Sequence, residues 1–381
     1  MIKVMTIVGT RPELIRLSKV IARLDATVHH ILVHTGQNYD YALNEIFFRD
    51  LHIRRPDHHL GIDTSSLGRV LGEILIRTEQ VLLAEKPDAV LILGDTNSSI
   101  SAVMAKRMRI PVYHMEAGNR CFDDNVPEET NRRMIDHVAD FNLVYTEHAR
   151  RNLIAEGLEP RRILLTGSPM REVLEHYRPQ IDASDVLERL GITAGNYFLV
   201  SAHRQENVDS PVRLQLLLDC LRKVQAQWSL PIHISTHPRT RKRLQALQSW
   251  GGRDTSASAE MVFHEPFGFH DFNRLQLGAA CVLSDSGTIA EESTILGFPA
   301  ITLRDSIERP EALDTGGIIM TGLNPREVVD AVTVTTAQVK MEPTSRPAPA
   351  EYQINNTSLR TVNFILSTAT RTHTWAGVRE I

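Results

Sequence analysis

The stretch IKVMTIVGTRPELIRLSKVIARL, residues 2–24, contains a strand, a turn and a helix in immediate succession, and it decides the fold class. Residues 4–8 form a short apolar run that predicts a strand, and residues 14–24 place apolar side chains at helical spacing. Between them, Gly9 permits a tight turn and Pro12 suits the first position of a helix. This order predicts a βαβ unit and therefore a parallel sheet.

The same alternation continues along the chain in two series. Further strands of the first series are predicted at 28–34, 89–93 and 112–115, with helices at 67–83 and 98–108. A second series begins after about residue 170, with strands at 197–201, 232–235, 281–283 and 300–303 and helices at 289–296 and 358–368. The fold class is therefore α/β, with two doubly wound parallel-sheet halves joined by a charged helical connector. Ligands of such sheets bind beyond the carboxyl ends of the strands, where this chain places polar clusters.

The composition is that of a globular protein and excludes several functional classes. The chain has 381 residues, of which 23% are charged and 42% hydrophobic, and these values argue against a disordered or fibrous protein. A formal net charge of -4 makes sequence-independent nucleic-acid binding a poor candidate. The apolar runs are too short for a membrane span or a signal peptide, so a cytoplasmic protein is expected. Cys121, Cys220 and Cys281 lie far apart, which favours neither a disulfide framework nor a zinc knuckle.

Carboxylates follow the strand signals of the first half. Asp95 comes after the run VLIL and Gly94, Glu116 follows the run YHM, and Glu128 and Glu129 occupy a predicted loop, VPEETNR. Any one of these acids alone is more typical of a solvated loop or a helix N-cap. Together, at successive strand ends, they favour paired groups for general acid–base chemistry.

Two segments have the features of anion sites at helix N-termini. Arg11 lies in the GTRPE turn, and Arg16 follows one turn further along the predicted helix. In SDSGTIAEES, residues 284–293, hydroxyl groups and a glycine precede another predicted helix, so their N–H groups can hold a phosphate. Glu291 and Glu292 follow in the first turn, where a carboxylate can accept the hydroxyls of a ribose. An ordinary capped helix accounts for the same pattern. The segment is not a Walker phosphate-binding loop, because no Gly-Lys-Ser/Thr sequence follows.

Histidines and arginines follow two strand signals of the second half. His203 and Arg204 end the first of these strands, and His237 and Arg239 end the next. A histidine there can serve as acid, base or phosphate partner, although a structural role is more common. His233 and His237 are four residues apart on a predicted strand and loop rather than on one helix face, so we do not expect a metal site.

Taken together, the motifs GTRPE, GDT, HMEAG, PEETNR, AHRQEN and SDSGTIAEES occur in an order that resembles the non-hydrolysing UDP-N-acetylglucosamine 2-epimerase family. The resemblance runs from residue 2 to about residue 335. It implies a GT-B fold, in which two Rossmann-like domains border a cleft and a final helix crosses back to the first domain. The implied domains are 1–170 joined by 356–381, with the catalytic carboxylates, and 171–355, with the UDP site. A UDP-sugar substrate, a homodimer and the absence of any metal or cofactor are implied as well.

The resemblance also implies a role for each candidate residue. The implied catalytic residues are Asp95, Glu116, Glu128 and His203, and the implied substrate-binding residues are Arg11, Arg16, Phe272, Ser286, Gly287 and Glu292. The carboxylates would act on the sugar, and the histidine would contact the UDP phosphates. Arg11, the serine and the glycine would hold the diphosphate, Glu292 the ribose and Phe272 the uracil, while Arg16 stands where the family usually has lysine. The implied reaction removes the C2 proton and expels UDP, and UDP adds back after reprotonation on the other face.

Three features depart from the UDP-N-acetylglucosamine type: the segment HTGQNYDYALNEIFF at 34–48, the loop CFDDN at 121–125, and Arg16. The segment at 34–48, together with the motifs HMEAGNRCFD, VPEETNR, STHPR and EPFGFHDFN, is closer to the capsule and O-antigen branch. That branch resembles enzymes that make UDP-N-acetyl-L-fucosamine from a 6-deoxy-L-talose precursor. A UDP-N-acetylglucosamine 2-epimerase is the alternative. A GT-B glycosyltransferase is a less favoured class, because it would not need three carboxylates around C2. A non-catalytic UDP-sugar sensor would not need them either.

Overall fold

The computed structural model describes residues 1–36, 41–236, 238–249, 261–341 and 348–378. The chain divides into two compact units, of which unit 1 comprises Met1–Glu175 and Ala350–Ile381 and unit 2 comprises His176–Pro349. The bounds expected from the sequence, 1–170 with 356–381 and 171–355, lie within six residues of these, and the chemistry assigned to each domain stays a prediction. The NYD segment at 38–40 and His237 lie outside the described residues.

Unit 1 is built on a parallel sheet. Its described strands are β1 (Lys3–Val8), β2 (His29–His34), β3 (His58–His59), β4 (Ala89–Leu93), β5 (Val112–Ala117), β6 (Phe141–Val144) and β7 (Ile163–Leu165). They lie in the order β3-β2-β1-β4-β5-β6-β7, and every pair is parallel. The helices are α1 (Arg11–Thr27), α2 (Tyr41–Asp50), α3 (Leu67–Glu85), α4 (Ser101–Arg107), α5 (Pro127–Val138), α6 (Glu147–Ala155) and α7 (Met170–His176). The short 3-10 helix Asn97–Ile100 precedes α4.

Unit 2 repeats this architecture. Its described strands are β8 (Phe198–Ser201), β9 (Ile232–Ser235), β10 (Met261–His264), β11 (Cys281–Ser284), β12 (Ala300–Thr302) and β13 (Ile319–Met320), in the parallel order β10-β9-β8-β11-β12-β13. The helices are α8 (Arg178–Asp182), α9 (Val186–Arg189), α10 (Gln205–Val208), α11 (Pro211–Trp228), α12 (Pro238–Ser249), α13 (Phe269–Gly278), α14 (Ile289–Leu296), α15 (Glu311–Asp314) and α16 (Pro325–Met341). Two Rossmann-like parallel sheets with helices confirm the predicted fold class.

The chain returns to unit 1 through α17 (Thr357–Thr368) and α18 (Thr372–Trp375). Helix α17 packs against α1, where the Arg23 Nε donates to Ser358 Oγ over 2.8 Å. Further along α17, the Tyr113 hydroxyl of β5 and Thr368 Oγ1 are hydrogen-bonded at 2.6 Å. The C-terminal segment therefore covers part of the same sheet whose strand ends carry the predicted carboxylates. The described helices include none whose length and hydropathy suit a membrane-spanning segment.

One predicted element was wrong in a way that matters for the site. The segment VPEETNR was predicted to be a loop, but it is the start of α5, with Pro127 in its first turn and Glu128 and Glu129 directly after it. Proline at the first helical position loses no hydrogen bond, and acids there face the positive end of the helix dipole. Helix α5 therefore holds these two carboxylates on a rigid element. The short strands β3, β6, β7, β10 and β13 were also missed, because runs of two to four residues carry little periodicity.

Candidate active site

The carboxyl ends of β4 and β5 place Asp95 and Glu116 beside each other in unit 1. The two strands are neighbours, and Asp95 follows β4 through Gly94, whose φ is +72°. Glu116 lies in β5 at a shift of register between Met115 and Ala117, with a φ of +67°. A Cβ built on Gly94 would lie 3.5 Å from the Glu116 Oε2, so the two strand ends bring this carboxylate next to the Asp95 turn.

Arg132 of α5 ties the Asp95 turn to the helix. Its Nε and Nη2 donate to the Asp95 Oδ2 over 2.9 and 2.6 Å, and its Nη1 donates to the Glu129 Oε2 over 3.0 Å. Arg132 and Glu129 are buried, whereas Asp95 is 26% exposed, so the Asp95 side of this contact can reach a ligand. Glu128 lies four residues before Arg132, on the same face of the helix. The three predicted catalytic carboxylates therefore stand in the turn after β4, in β5 and in α5, at one edge of the unit 1 sheet.

Arg16 supplies the positive charge opposite Glu116. Its Nη1 lies 3.2 Å from the Glu116 Oε2, and its guanidinium carbon lies 5.6 Å from the centroid of the Tyr145 ring. The side chain is almost completely buried, although it is charged. Arg11, at the start of the same helix, places its guanidinium carbon 5.6 Å from the centroid of the Phe47 ring. Helix α1 thus places Arg16 beside Glu116 and Arg11 beside Phe47, and the diphosphate-binding role of Arg11 stays a prediction.

Glu13 was not singled out by its sequence, yet it is the most perturbed carboxyl group near this edge. It accepts hydrogen bonds from the Gly9 N–H at 3.0 Å, from the Thr10 hydroxyl at 2.7 Å and from the Ser98 hydroxyl. Burial raises its pKa from 4.5 to about 6, although the hydrogen bonds act in the opposite direction. The group joins the turn after β1 to the 3-10 helix that follows the Asp95 turn.

In unit 2, the strand-end loop that contains His203 is held by a buried aspartate. Asp285, directly after β11, accepts from the N–H groups of His203 at 3.0 Å and Arg204 at 3.1 Å, and from the Asn207 side chain at 3.1 Å. The His203 Nδ1 also lies 3.5 Å from an oxygen of Asp285. The imidazole itself remains 44% exposed, so it is available to a ligand of unit 2.

The segment after β11 forms a turn held by its own hydroxyl groups, and its predicted role in anion binding stays a prediction. The Ser286 N–H donates to the Ser284 Oγ over 3.0 Å, and the hydroxyls of Ser286 and Thr288 are hydrogen-bonded at 2.9 Å. A Cβ on Gly287 would lie 3.2 Å from the Arg204 Nη2. Any larger residue at this position would therefore push the guanidinium away from the turn. The turn and the arginine together offer hydroxyls, N–H groups and positive charge, which suit a phosphate.

The two glutamates of α14 have different surroundings. Glu291 is fully buried and pairs with Arg309, which also donates to the Gly287 carbonyl over 2.7 Å. Glu292 accepts from the Gln276 amide over 2.7 Å. Glu291 therefore braces the turn, whereas Glu292 is the acid that can face a ribose. Phe272, predicted to contact the uracil, is half-buried against the apolar cluster of unit 2.

The sequence named the residues at the strand ends but missed the partners that hold them. Arg132, Asp285, Arg309 and Glu13 were not predicted as site residues. Three of them stand within four residues of one that was, whereas Arg309 lies 17 residues after Glu292. Their roles show only through burial and hydrogen bonding, since buried charged groups are rare unless they are paired. In the described residues, no group of three or more His, Cys, Asp and Glu side chains is arranged to hold a metal ion.

Comparison with known proteins shows which family this chain resembles in sequence and fold. A family model described as UDP-N-acetylglucosamine 2-epimerase matches residues 22–366. The structure of a UDP-N-acetylglucosamine 2-epimerase from Rickettsia bellii is similar to this chain with a TM-score of 0.89 and 43% identity, and the match covers 98% of both chains.

Two further relatives differ in the substrate that they are named for. A crystal structure of the Methanocaldococcus jannaschii UDP-GlcNAc 2-epimerase, in complex with UDP-GlcNAc and UDP, matches with a TM-score of 0.89 and 33% identity over 96% of this chain and 99% of that one. The UDP-2,3-diacetamido-2,3-dideoxy-D-glucuronate 2-epimerase of Pseudomonas aeruginosa is 33% identical over 335 residues, which are 86% of this chain and 91% of the relative. The similarity therefore extends across relatives that differ in sugar.

Proposed function

We propose a C2 epimerisation for this chain, which belongs to the UDP-N-acetylglucosamine 2-epimerase family. It is therefore an isomerase of the nucleotide-sugar 2-epimerase type, and its substrate is a UDP-linked 2-acetamido sugar. The observation that carries the proposal is the set of three carboxylates, Asp95 in the turn after β4, Glu116 in β5 and Glu128 in α5, at one edge of the unit 1 sheet. Two of them are each opposed by a buried arginine.

The reaction needs a base, an acid and a stable leaving group. A carboxylate removes the C2 proton, and the C1–O bond breaks with its electron pair going to UDP, which leaves a 2-acetamidoglycal. A carboxylic acid then returns a proton to C2 on the opposite face, and a phosphate oxygen of UDP adds to C1. Asp95, Glu116 and Glu128 are the candidates for both proton transfers, because each stands on a rigid element or directly at its end.

The UDP part is assigned to residues that offer positive charge and N–H groups. We assign the diphosphate to Arg11, His203, Ser286 and Gly287. The ribose and the uracil are assigned to Glu292 and Phe272. In support, the Ser286–Gly287 turn lies beside Arg204 and Arg309, and His203 stands on a loop fixed by Asp285. Preorganised donors of this kind stabilise charge that develops on a departing diphosphate.

The substrate that we favour is a UDP-linked 2-acetamido-2,6-dideoxy-L-hexose, epimerised from the L-talose to the L-fucosamine configuration for a surface polysaccharide. Arg16, buried against Glu116, supports it, because an arginine in place of a lysine changes the shape and the hydrogen bonds of the sugar pocket. The second candidate, conversion of UDP-N-acetylglucosamine to UDP-N-acetylmannosamine, is supported by the names of the R. bellii and M. jannaschii relatives. A pocket built for a C6 methyl leaves the C6 hydroxyl of the second substrate unpaired, at a cost of about 1–3 kcal/mol.

The test is a panel of UDP-sugars incubated with the protein in heavy water and followed by NMR. Deuterium at C2 is expected in the product of the true substrate, and an absence of exchange with every UDP-2-acetamido sugar contradicts the proposed reaction. Asp95→Asn, Glu116→Gln and Glu128→Gln should each reduce kcat by roughly 10²-fold while UDP affinity is retained. Asp88→Asn is the matched control, because Asp88 stands at the opposite, amino end of β4, where it accepts from the Lys3 N–H.

Direct competition between the two substrates decides the sugar. The 6-deoxy substrate should have the higher kcat/KM, by a factor of about 5 to 150, which corresponds to one unpaired hydroxyl. An equal or higher kcat/KM for UDP-N-acetylglucosamine would refute the 6-deoxy substrate and support conversion of UDP-N-acetylglucosamine to UDP-N-acetylmannosamine.

A further inference from the structure

A fully buried carboxylate, Asp136 of α5, holds the end of β5 behind the candidate carboxylates. It accepts from the Gly118 N–H at 3.1 and 3.2 Å and from the Arg120 Nη1 at 2.7 Å. One of its oxygens also lies 2.9 Å from the His114 Nδ1. The side chains of Asp136, Arg120 and His114 are all 0% exposed, so none of them can touch a substrate.

The backbone that these contacts hold is unfavourable by itself. Glu116 has a φ of +67°, which a residue other than glycine rarely adopts, and it falls at the register shift of β5. Gly118 has a φ of +79°, and a Cβ there would lie 2.4 Å from the Ala149 carbonyl oxygen. Such a conformation persists only where the surrounding structure fixes it. The bifurcated hydrogen bond from the Gly118 N–H to the two Asp136 oxygens fixes the residue that follows this bulge.

The same carboxylate contacts His114, whose other ring nitrogen reaches the neighbouring strand. The His114 Nε2 donates to the Gly94 carbonyl over 2.8 Å, and Gly94 directly precedes Asp95. Asp136 itself belongs to α5, the helix that carries Glu128. One buried group therefore joins the three elements on which all the candidate carboxylates stand.

We propose that Asp136 is a positioning residue, which sets Glu116 and Asp95 in the relative orientation needed for proton transfer at C2. The proposal rests on the proposed function of these two carboxylates. A displacement of about 1 Å at a reacting group costs roughly 10²-fold in rate. Loss of the contacts that Asp136 makes should therefore lower kcat rather than weaken substrate binding.

Asp140 provides a matched control for a role in stability alone. It is also a buried aspartate, and it also accepts from a β5 amide, the Val112 N–H at 3.0 Å, but at the opposite end of the strand. Its second partner is Lys106, at 2.5 Å. Asp136→Asn and Asp140→Asn each place an amide where a carboxylate accepted from a backbone N–H. Both should therefore lower the melting temperature by several degrees, and only the first should disturb Glu116.

The experiment compares the wild-type chain, Asp136→Asn and Asp140→Asn in C2 proton exchange, UDP binding and thermal unfolding. We expect kcat of Asp136→Asn to fall roughly 10²-fold with KM and UDP affinity near the wild-type values, and Asp140→Asn to keep its kcat. Equal kcat losses in both variants, or a wild-type kcat in Asp136→Asn, overturn the proposal. If Asp136→Asn does not fold, His114→Phe takes its place, because it keeps a ring of similar size and removes the bond to the Gly94 carbonyl.

Crystal structures of the two variants separate this inference from the proposed function. In Asp136→Asn we expect the φ of Glu116 to leave the positive region and its carboxylate to move, whereas Asp140→Asn should keep both. An unmoved Glu116 overturns the positioning role whatever the activity. If the wild-type chain exchanges no C2 proton but Glu116 is displaced in Asp136→Asn, the proposed function is contradicted. The positioning role of Asp136 is then still supported.

Discussion

Glu13→Gln should change the pH dependence of stability in a direction that follows from the burial of this carboxyl group. Glu13 is only 1% exposed and accepts from Gly9, Thr10 and Ser98. Burial raises its pKa from 4.5 to about 6. A glutamine keeps the size of the side chain and, like the protonated acid, is uncharged. The variant therefore removes the titration and disturbs the packing little.

The sign and size of the effect come from the linkage of protonation to folding. The folded state binds the Glu13 proton more tightly than the unfolded chain, so this group stabilises the fold most below pH 4.5 and stabilises it less as the pH rises to 6 and above. The full difference is about 2 kcal/mol, and about 1.2 kcal/mol of it falls between pH 5 and pH 7.5. Relative to Glu13→Gln, the wild-type chain should therefore lose about 1.2 kcal/mol of unfolding free energy across this range.

The assay is urea unfolding at a series of pH values, with a probe that reports unit 1. The sequence has three tryptophans, so replacing Trp228 and Trp250 by phenylalanine leaves Trp375, which packs against Phe141 of the unit 1 sheet. The free energy of unfolding is measured for the parent and for Glu13→Gln in this background. A shift of about 1.2 kcal/mol is well within the resolution of such curves at an m value of 1–3 kcal/mol/M.

Glu129→Gln is the control for the pH range. Burial acts to raise the pKa of Glu129, but hydrogen bonds from Cys121 and the charge of Arg132 outweigh it and lower the pKa below 4.5. Its contribution to stability is lost only as the pH falls through that lower value, so the difference between parent and Glu129→Gln should stay constant from pH 5 to pH 7.5. If the Glu13→Gln difference is equally constant, Glu13 is not the desolvated acid described above.

Three further outcomes are expected. Arg132→Met should lower the unfolding free energy by roughly 1–3 kcal/mol in urea titrations, because it removes the arginine that Asp95 shares with Glu129 and leaves Glu129 with Arg133, and a loss below 1 kcal/mol would contradict this. Gly118→Ala should lower the urea midpoint, since it adds a methyl group against a backbone carbonyl at a positive φ, whereas Gly68→Ala, with open space around it, should not. Asp285→Asn should weaken UDP binding about tenfold in calorimetry, because the amide disrupts the hydrogen bonds that hold the His203 loop, and an unchanged Kd would refute this.

Several elements were predictable because their signals are local, although the long helices α11 and α16 were not predicted. The strand at 89–93 and the helix at 289–296 were predicted with the bounds that the structure has, since an apolar run between polar segments and a helical spacing need no distant partner. Helix α5 was missed, although Pro127 and the two acids after it are an N-terminal signal. The acids were interpreted as chemistry at a strand end, and the helix that they begin was overlooked.

The sequence by itself determined the α/β class, the two series of strands, the motif order that matches the family, and the residues that follow each strand. These properties depend on segments of about ten to twenty residues, because side-chain periodicity and turn-forming residues act locally. Only the tertiary structure decided which of the charged residues are buried and what they hold. Asp136 meets Gly118 across 18 residues, Ser98 meets Glu13 across 85, and His203 meets Asp285 across 82. Such pairs form because parallel strands bring their carboxyl ends to one edge of the sheet. A charged or polar group buried there is stable only when a hydrogen bond or an opposite charge replaces its hydration.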